Sequence, residues 1–443
     1  MTIFALSSGI GVAGIAVIRI SGPEAKNVIL KLTKAPFPKP KLATLKKINN
    51  INNSRPIDEG IILWFPGPQS YTGEDMAEIH THGSRAVINA LLRSISQIKG
   101  CRLAEPGEFT KVAFKNGKIN LLKAESIGDL ISAETDLQMN QALKIIAGNN
   151  YKRFEDWRSA LLKILSHIEA KIDFPDEDLP SNILNKIKIQ SNKIIREIEM
   201  SLKDNRVGEI IREGFQISII GPPNVGKSSL LNYLSNRDVA IVSSTAGTTR
   251  DVIETHLNID GYPIIISDTA GIRQARNEIE KKGIKLSLKK AKEADLNIIM
   301  VEPKSKQNRA FLDKYMNKKS LLIVNKVDSS KIKMTSNLKK LSPILISIKK
   351  HKNIQKVITF IKHKIKNQFK GNENILITRM RHRKNLEDCL NNLKNFNKKR
   401  DSNDFDKAAE DIRLASRSLG KITGKFDVED ILDSIFNDFC IGK

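Results

Sequence analysis

The stretch GPPNVGKSS, Gly221 to Ser229, directly follows the apolar run FQISII and precedes SLLNYL. It constrains the fold more than any other feature. A strand that breaks at a glycine turn and restarts as a helix must return over a sheet, which calls for a parallel neighbour. The pattern fits G-x-x-x-x-G-K-[ST]. Its glycines let consecutive backbone N–H groups curl around phosphate oxygens. Lys227 reaches the β- and γ-phosphates, the Ser228 hydroxyl ligates Mg²⁺, and the helix points its positive end at the anion. Asn224, Val225, Gly226, Lys227, Ser228 and Ser229 are therefore the expected phosphate-loop contacts.

The runs YPIIISD, LNIIMV, LLIVN and PILIS follow, spaced by helix-length segments. Strands alternating with helices predict a parallel sheet covered on both faces across residues 213–371. Two more motifs fall at strand ends. In DTAG (Asp268, Thr269, Ala270 and Gly271), Asp268 can hold Mg²⁺ through water and the Gly271 N–H can meet the γ-phosphate. In NKVD, the Asp328 carboxylate matches the paired N–H donors of the guanine edge, which adenine lacks, so it selects GTP over ATP. Asn325 can bond the base and tie the loops, and the Lys326 stem can lie on the ring. Ser347-Ile348-Lys349 completes the base site through backbone N–H groups.

Position 272 is Ile, where Ras-type enzymes carry the glutamine that orients water, so hydrolysis needs another water-orienting group and another positive charge. Asn224 offers an oxygen for a monovalent cation. SSTAGTTRD reads as a switch loop in which Ser243, Ser244, Thr245, Ala246, Gly247, Thr248 and Thr249 meet the nucleotide or its ions. Thr249 can ligate Mg²⁺, and nearby carbonyls can complete a cation cage that replaces an arginine finger.

Length and charge bound the rest. A chain of 443 residues exceeds one ordinary core, so two or three domains are expected. No run of about 18 apolar residues predicts a membrane span, and the N-terminal apolar stretch reads as a strand rather than a signal peptide. Cys101, Cys389 and Cys440 are odd in number and far apart, which predicts reduced thiols and a cytoplasmic setting. The net charge of +25 suits a polyanion such as nucleic acid, although a general excess of Lys, Asn and Ile would also produce it. With 5% aromatics, base stacking on aromatic platforms is not the expected mode.

Residues 1–118 read as an α+β domain, with GIAVIRI and EGIILWF as strands and RAVINALLRSIS as a helix. Residues 119–212 read as helical, with Trp157, Leu161, Ile164, Leu165 and Ile168 on one face and a further amphipathic helix over 186–205. Helices return over 372–443, in stripes of Ala408, Ile412, Ala415 and Leu419 and of Val428, Ile431, Leu432, Ile435 and Phe439. The simplest organisation inserts an α/β domain into one discontinuous helical domain; two independent helical domains are the alternative. The terminal CIGK is no prenylation box, because Gly442 and Lys443 break the pattern. His80 and His82 suggest a metal pair, but no third ligand is evident and a structural role is the stronger reading.

With these residues in view, the chain resembles the tRNA-modification GTPase family MnmE (TrmE). The resemblance spans the chain through IRISG, FPGPQSYTGED, EPGEFT, AFKNGKINL, IDFPDED, GPPNVGKSSLLN, AGTTRDV, DTAGIR, NKVD and the terminal FCIGK. It implies an N-terminal α+β dimerisation domain, a discontinuous helical domain and an inserted Ras-like P-loop GTPase domain. It also implies that Asn224, the carbonyls of Ser243 and Thr245, and Thr248 hold K⁺, while Ser228 and Thr249 hold Mg²⁺. Glu280 falls where the family places its water-orienting glutamate; a solvated helix-face acid beside Lys281 and Lys282 is the plainer reading. Arg19, Glu78 and Lys118 match positions that bind 5-formyl- or methylene-tetrahydrofolate. Lys443 is expected to reach that site with Cys440 close by, the thiol being either chemical or structural. Val12 and Ala13 stand where the family's first loop is richer in Gly and Arg.

The resemblance implies a homodimer, without membrane attachment, that hydrolyses GTP. With an FAD-dependent MnmG (GidA) partner in a heterotetramer, it would build a carboxymethylaminomethyl group on C5 of the tRNA wobble uridine. The alternative is an RNA-binding ribosome-assembly GTPase, which explains neither the folate motifs nor the FCIGK tail.

Overall fold

A computed structural model of the chain describes residues 1–9, 11–34, 36–173, 181–235, 254–268, 289–303, 308–328, 338, 340–369, 375–400, 405–426, 432, 435–437 and 439–443. The chain divides into two compact units, Met1–Ile131 with Ile145–Ser191 and Asn391–Lys443, and Ser132–Lys144 with Asn192–Leu390. No described helix is long and apolar enough to cross a membrane.

In the first unit a six-stranded sheet forms from β1 (Thr2–Leu6), β2 (Ala13–Ser21), β3 (Thr44–Asn49), β4 (Pro56–Phe65), β5 (Met76–Gly83) and β6 (Cys101–Leu103), in the order β3-β4-β5-β2-β1-β6. All neighbours are antiparallel except β1 and β6. Alternation sends Ile18, Ile20, Ile62, Ala77 and Ile79 to one face, beneath the helices Ala25–Thr33 and Arg85–Ser96. Ser84 caps the second helix by accepting from the Val87 N–H at 3.2 Å. The same period of two leaves Arg19, Glu78 and His80 on the opposite face, with Arg19 directly across from Glu78.

The helix Asn149–Asp173 buries the expected stripe from Trp157 to Ile168. It packs along Phe405–Thr423, whose inner face carries Ala408, Ile412, Ala415 and Leu419. Arg413 reaches Glu169 at 2.8 Å, and the Thr423 hydroxyl donates to Glu155 at 3.1 Å. The helix Leu121–Ile131 packs on Leu432, Ile435, Phe436 and Phe439. Val428 and Ile431, read with that stripe, lie outside the described residues.

The second unit holds β7 (Phe215–Ile220), β8 (Glu254–Ile259), β9 (Tyr262–Asp268), β10 (Leu296–Val301), β11 (Ser320–Val324) and β12 (Ile344–Leu345), in the order β12-β11-β10-β7-β9-β8. Five strands are mutually parallel, with apolar clusters on both faces. The sixth corrects the all-parallel expectation: β8 runs antiparallel to β9 at the edge. A tight Asp260–Gly261 turn causes this, both residues having positive φ, with the Asn258 side chain accepting from the Gly261 N–H at 2.8 Å.

A buried ionic knot secures the entry to this unit. Glu209 in the helix Val207–Glu213 has no exposed side-chain surface and accepts from Arg383 at 3.0 and 3.1 Å and from Arg206 at 3.0 Å. Arg383 also meets Asp204 at 2.7 Å and the Leu202 carbonyl at 3.1 Å. Burial opposes the guanidinium charge, but the bonds to Glu209 and Asp204 outweigh it and raise its pKa. Arg383→Ala leaves the buried Glu209 with the half-exposed Arg206 as its remaining cation, so the expected loss is up to about 3–5 kcal/mol in chemical denaturation. A loss below about 1 kcal/mol would show the knot to be dispensable.

Candidate functional site

The parallel strands of the second unit deliver the three nucleotide motifs to one edge of the sheet, the carboxyl ends where such sheets bind ligands. The phosphate loop leaves β7 and restarts as the helix Lys227–Ser235. Asp268 closes β9 beside Ile219 of β7. Asn325 to Asp328 follow β11, and Ser347 to Lys349 follow β12.

The phosphate loop curls because Asn224 and Gly226 both take positive φ, at 62° and 102°. Lys227 is buried and donates to the carbonyls of Gly221 at 3.1 Å and Pro222 at 3.0 Å, so the loop wraps its own cation. A Cβ at Gly226 would lie 2.4 Å from the Asn325 side-chain nitrogen. Its absence lets that nitrogen donate to the Val225 carbonyl at 2.8 Å. The Asn325 side-chain oxygen accepts from the Ile348 N–H at 3.3 Å. One buried amide thus ties the phosphate loop to both base-site loops.

Lys326, at φ 63°, donates to the Asn224 carbonyl at 2.7 Å and pairs with Glu302. Asp328 is exposed and accepts from the Ser347 hydroxyl at 2.5 Å. That hydrogen bond, with the nearby charges of Lys349 and Lys350, holds its pKa below the usual aspartate value. The carboxylate is therefore ionised at neutral pH, as an acceptor for two N–H donors must be.

The structure thus brings Asn224 to Ser229, Asn325, Lys326 and Asp328 into one neighbourhood, with the backbone of Asp268 beside them. Ser243, Ser244, Thr245, Ala246, Gly247, Thr248, Thr249, Thr269, Ala270, Gly271 and Glu280 lie outside the described residues, as does the Asp268 side chain.

The second candidate site lies on the other face of the first unit's sheet, where the helix Glu108–Lys115 packs Phe109 against Ile3 and Ala5. Arg19 and Glu78 pair at 2.9 Å with both side chains 18% exposed. The guanidinium lies 5.6 Å from the Tyr71 ring centre and 5.8 Å from that of Phe109. The Tyr71 hydroxyl shares a 2.9 Å hydrogen bond with Thr110, and burial raises its pKa, keeping it neutral. Lys118 donates to the Pro68 carbonyl at 2.8 Å, within the loop that carries Tyr71.

The C-terminal tail closes on this neighbourhood. Ile441 bridges Pro106, the Gly442 carbonyl accepts from the Ser7 hydroxyl at 2.7 Å, and the Lys443 carbonyl accepts from the Phe109 N–H at 3.1 Å. Gly442 has φ 94°, and a Cβ there would sit 2.2 Å from the Leu6 carbonyl oxygen, so only glycine allows this seat. Cys440 is exposed in the docked segment. Arg19, paired with Glu78, lies over the Phe109 ring while the Lys443 carbonyl meets the Phe109 backbone, and Lys118 holds the loop of residues 68–73 that carries Tyr71. Sequence reading missed Tyr71 and Phe109, although both sit inside motifs it singled out, SYTGED and EPGEFT. His80 lies 3.5 Å from Glu78, and His82 pairs with Asp58 at 2.9 Å. Among the described residues no group of three metal-ligating side chains forms.

Comparison with known proteins covers both units. A family model described as "GTP-binding protein TrmE N-terminus" matches residues 2–118, and one described as "MnmE helical domain" matches residues 121–440. A tRNA modification GTPase MnmE of Pelagibacter ubique is 63% identical over 443 residues, covering all of both chains. The protein of that name from Rickettsia rickettsii (strain Sheila Smith) is 45% identical over 448 residues, again covering both chains completely. Among solved structures, the G domain of the T. maritima FeoB iron transporter matches at 26% identity with a TM-score of 0.28, over 34% of this chain and 97% of that one. With full-length identity of this degree and family models spanning both flanks, the chain belongs to the tRNA modification GTPase MnmE family.

Proposed function

We propose that the chain is a K⁺-dependent GTPase acting with an FAD-dependent MnmG-type partner on tRNA. Together they add a carboxymethylaminomethyl group to C5 of the wobble uridine, with a tetrahydrofolate as one-carbon donor and glycine or ammonium as nitrogen source. The observation that carries this reading is the docked tail, which joins Lys443 to the face bearing Arg19 and Glu78. A ribosome-assembly switch has no use for such an arrangement. In this reading residues 1–118 bind folate and dimerise, 119–212 and 372–443 form the helical domain, and 213–371 the G domain. The assembly is a cytoplasmic homodimer within a heterotetramer.

At the nucleotide, Lys227 and the loop N–H groups take the phosphates while Asp328 selects guanine. Two of the implied ligands are described and accessible: Asn224 is exposed on the positive-φ turn, and Ser228 is exposed as the second residue of the helix that follows. Ser228 and Thr249 would hold Mg²⁺, with Asp268 acting through water, and Asn224, Ser243, Thr245 and Thr248 would hold K⁺. These cations supply the positive charge that phosphoryl transfer requires in place of an arginine finger. Glu280 would orient the water, the task that Ile272 leaves vacant.

The sheet face fits a folate by its donor set. Glu78 is an acceptor for paired N–H donors on a pterin edge, the half-buried Tyr71 offers ring surface with Phe109 packed in the core behind it, and Arg19, Lys118 and Lys443 supply cations for carboxylates. Bound there, the folate would supply the transferred carbon. Cys440, exposed in the docked tail, would serve either a covalent or a structural role there. Pairing of G domains across the dimer would order the switch loops and drive the cycle.

Three outcomes check these assignments. GTP turnover rises sharply when K⁺ replaces Na⁺ at equal ionic strength, and equal rates would remove the cation cage. Asp328→Asn weakens GTP binding by about 10- to 150-fold, the loss of a hydrogen bond to a charged group. An unchanged affinity in nucleotide titration would mean that another group reads the base. Deleting Lys443 abolishes folate binding in equilibrium dialysis and spares basal GTP hydrolysis; the reverse pattern contradicts the role of the tail.

A further inference from the structure

The net charge of +25 is unevenly spread, and its sharpest concentration borders the guanine site. Residues 329–372 hold twelve lysines and no Asp, Glu or Arg. At the chain's average density a stretch of that length would carry about five acidic residues. A compositional excess of lysine explains the bases but not the missing acids.

The helix Ile354–Phe369 organises the described part of this stretch. It buries Ile354, Val357, Ile358, Ile361 and Ile365 against the sheet. The opposite arc therefore carries Lys356, Phe360, His363, Lys364 and Asn367, at spacings of four, seven, eight and eleven from the first. Phe360 is 37% exposed in the middle of this row. Lys352 lies exposed just before the helix. Toward the side of the helix, Lys362 and Lys366 turn to Asp260. Lys352, Lys356 and Lys364 have no ion pair among the described residues, and residues 329–372 supply no acid to pair with them.

We propose that this row is an RNA-binding face, in which Lys352, Lys356 and Lys364 meet phosphates and Phe360 stacks on an unpaired base. Lysine is a mobile point charge suited to phosphate without base readout, so the face would position RNA rather than read its sequence. An exposed aromatic between cations is the pairing that single-stranded loops use. The proposal rests on the tRNA-modifying reading for the identity of the polyanion.

The test is titration of tRNA by fluorescence anisotropy over a salt series, using the full-length protein. The variant Lys352→Gln/Lys356→Gln/Lys364→Gln should lower the slope of log affinity against log salt by about 2–3, and the affinity near 0.1 M salt on the order of 10²-fold. Phe360→Ala should weaken binding with the slope unchanged. A control of equal charge, Lys99→Gln/Lys163→Gln/Lys188→Gln, should change the slope by less than half as much. Basal GTP turnover of all three proteins should match wild type, which shows the variants are folded. Equal slope changes in the two triple variants would overturn the proposal in favour of diffuse charge, and so would wild type that binds tRNA with no salt dependence. Failure of the folate or wobble-uridine chemistry would leave these slopes untouched, so the two readings fail separately.

Discussion

The arrangement depends most on the contact of the Asn325 side-chain amide with the Val225 carbonyl, made through space that a side chain at position 226 would fill. Two turns that the sequence separates by about a hundred residues are thereby fixed to each other, and Ile348 adds the third. Buried polar groups are costly unless satisfied, so this amide enforces one relative position of phosphate loop and base loops. The guanine selection proposed for Asp328 and the phosphate capture proposed for Lys227 would then be consequences of one local geometry.

At the other site the same economy of backbone contacts seats a chain terminus. Termini ordinarily fray; here Leu432, Ile435, Phe436 and Phe439 pack into a core cluster on the approach, and three carbonyl or bridge contacts engage the last residues. The tail thus docks on the helix that carries Phe109, over whose ring the Arg19 guanidinium lies while it pairs with Glu78.

Much of this was legible beforehand, and the reasons differ by element. The runs FQISII, YPIIISD and LNIIMV coincide with β7, β9 and β10 because strands buried on both faces read as continuous apolar blocks. RAVINALLRSIS coincides with its helix because the apolar period is clean and Ser84 caps it. The strand β8 was missed because ETHLNI is an edge strand with only two apolar side chains, although the following Asp-Gly turn signals a hairpin. Strands β3 and β5 were hidden by the Lys, Glu and His residues that interrupt their apolar pattern. At the sites, motif spacing picked out the groups proposed to meet the nucleotide. The flanking of Arg19 by Tyr71 and Phe109 joins residues far apart in sequence, and periodicity carries no information about such contacts.

The central claim is that GTP chemistry at one unit serves uridine modification by the assembly. Its most direct measurement is mass spectrometry of wobble nucleosides in tRNA from cells lacking this chain, complemented with wild type or with Asp328→Asn. The account predicts that the C5 carboxymethylaminomethyl substituent disappears on deletion, returns with wild type and stays absent with the variant. Wobble uridines that keep the substituent after deletion would contradict it.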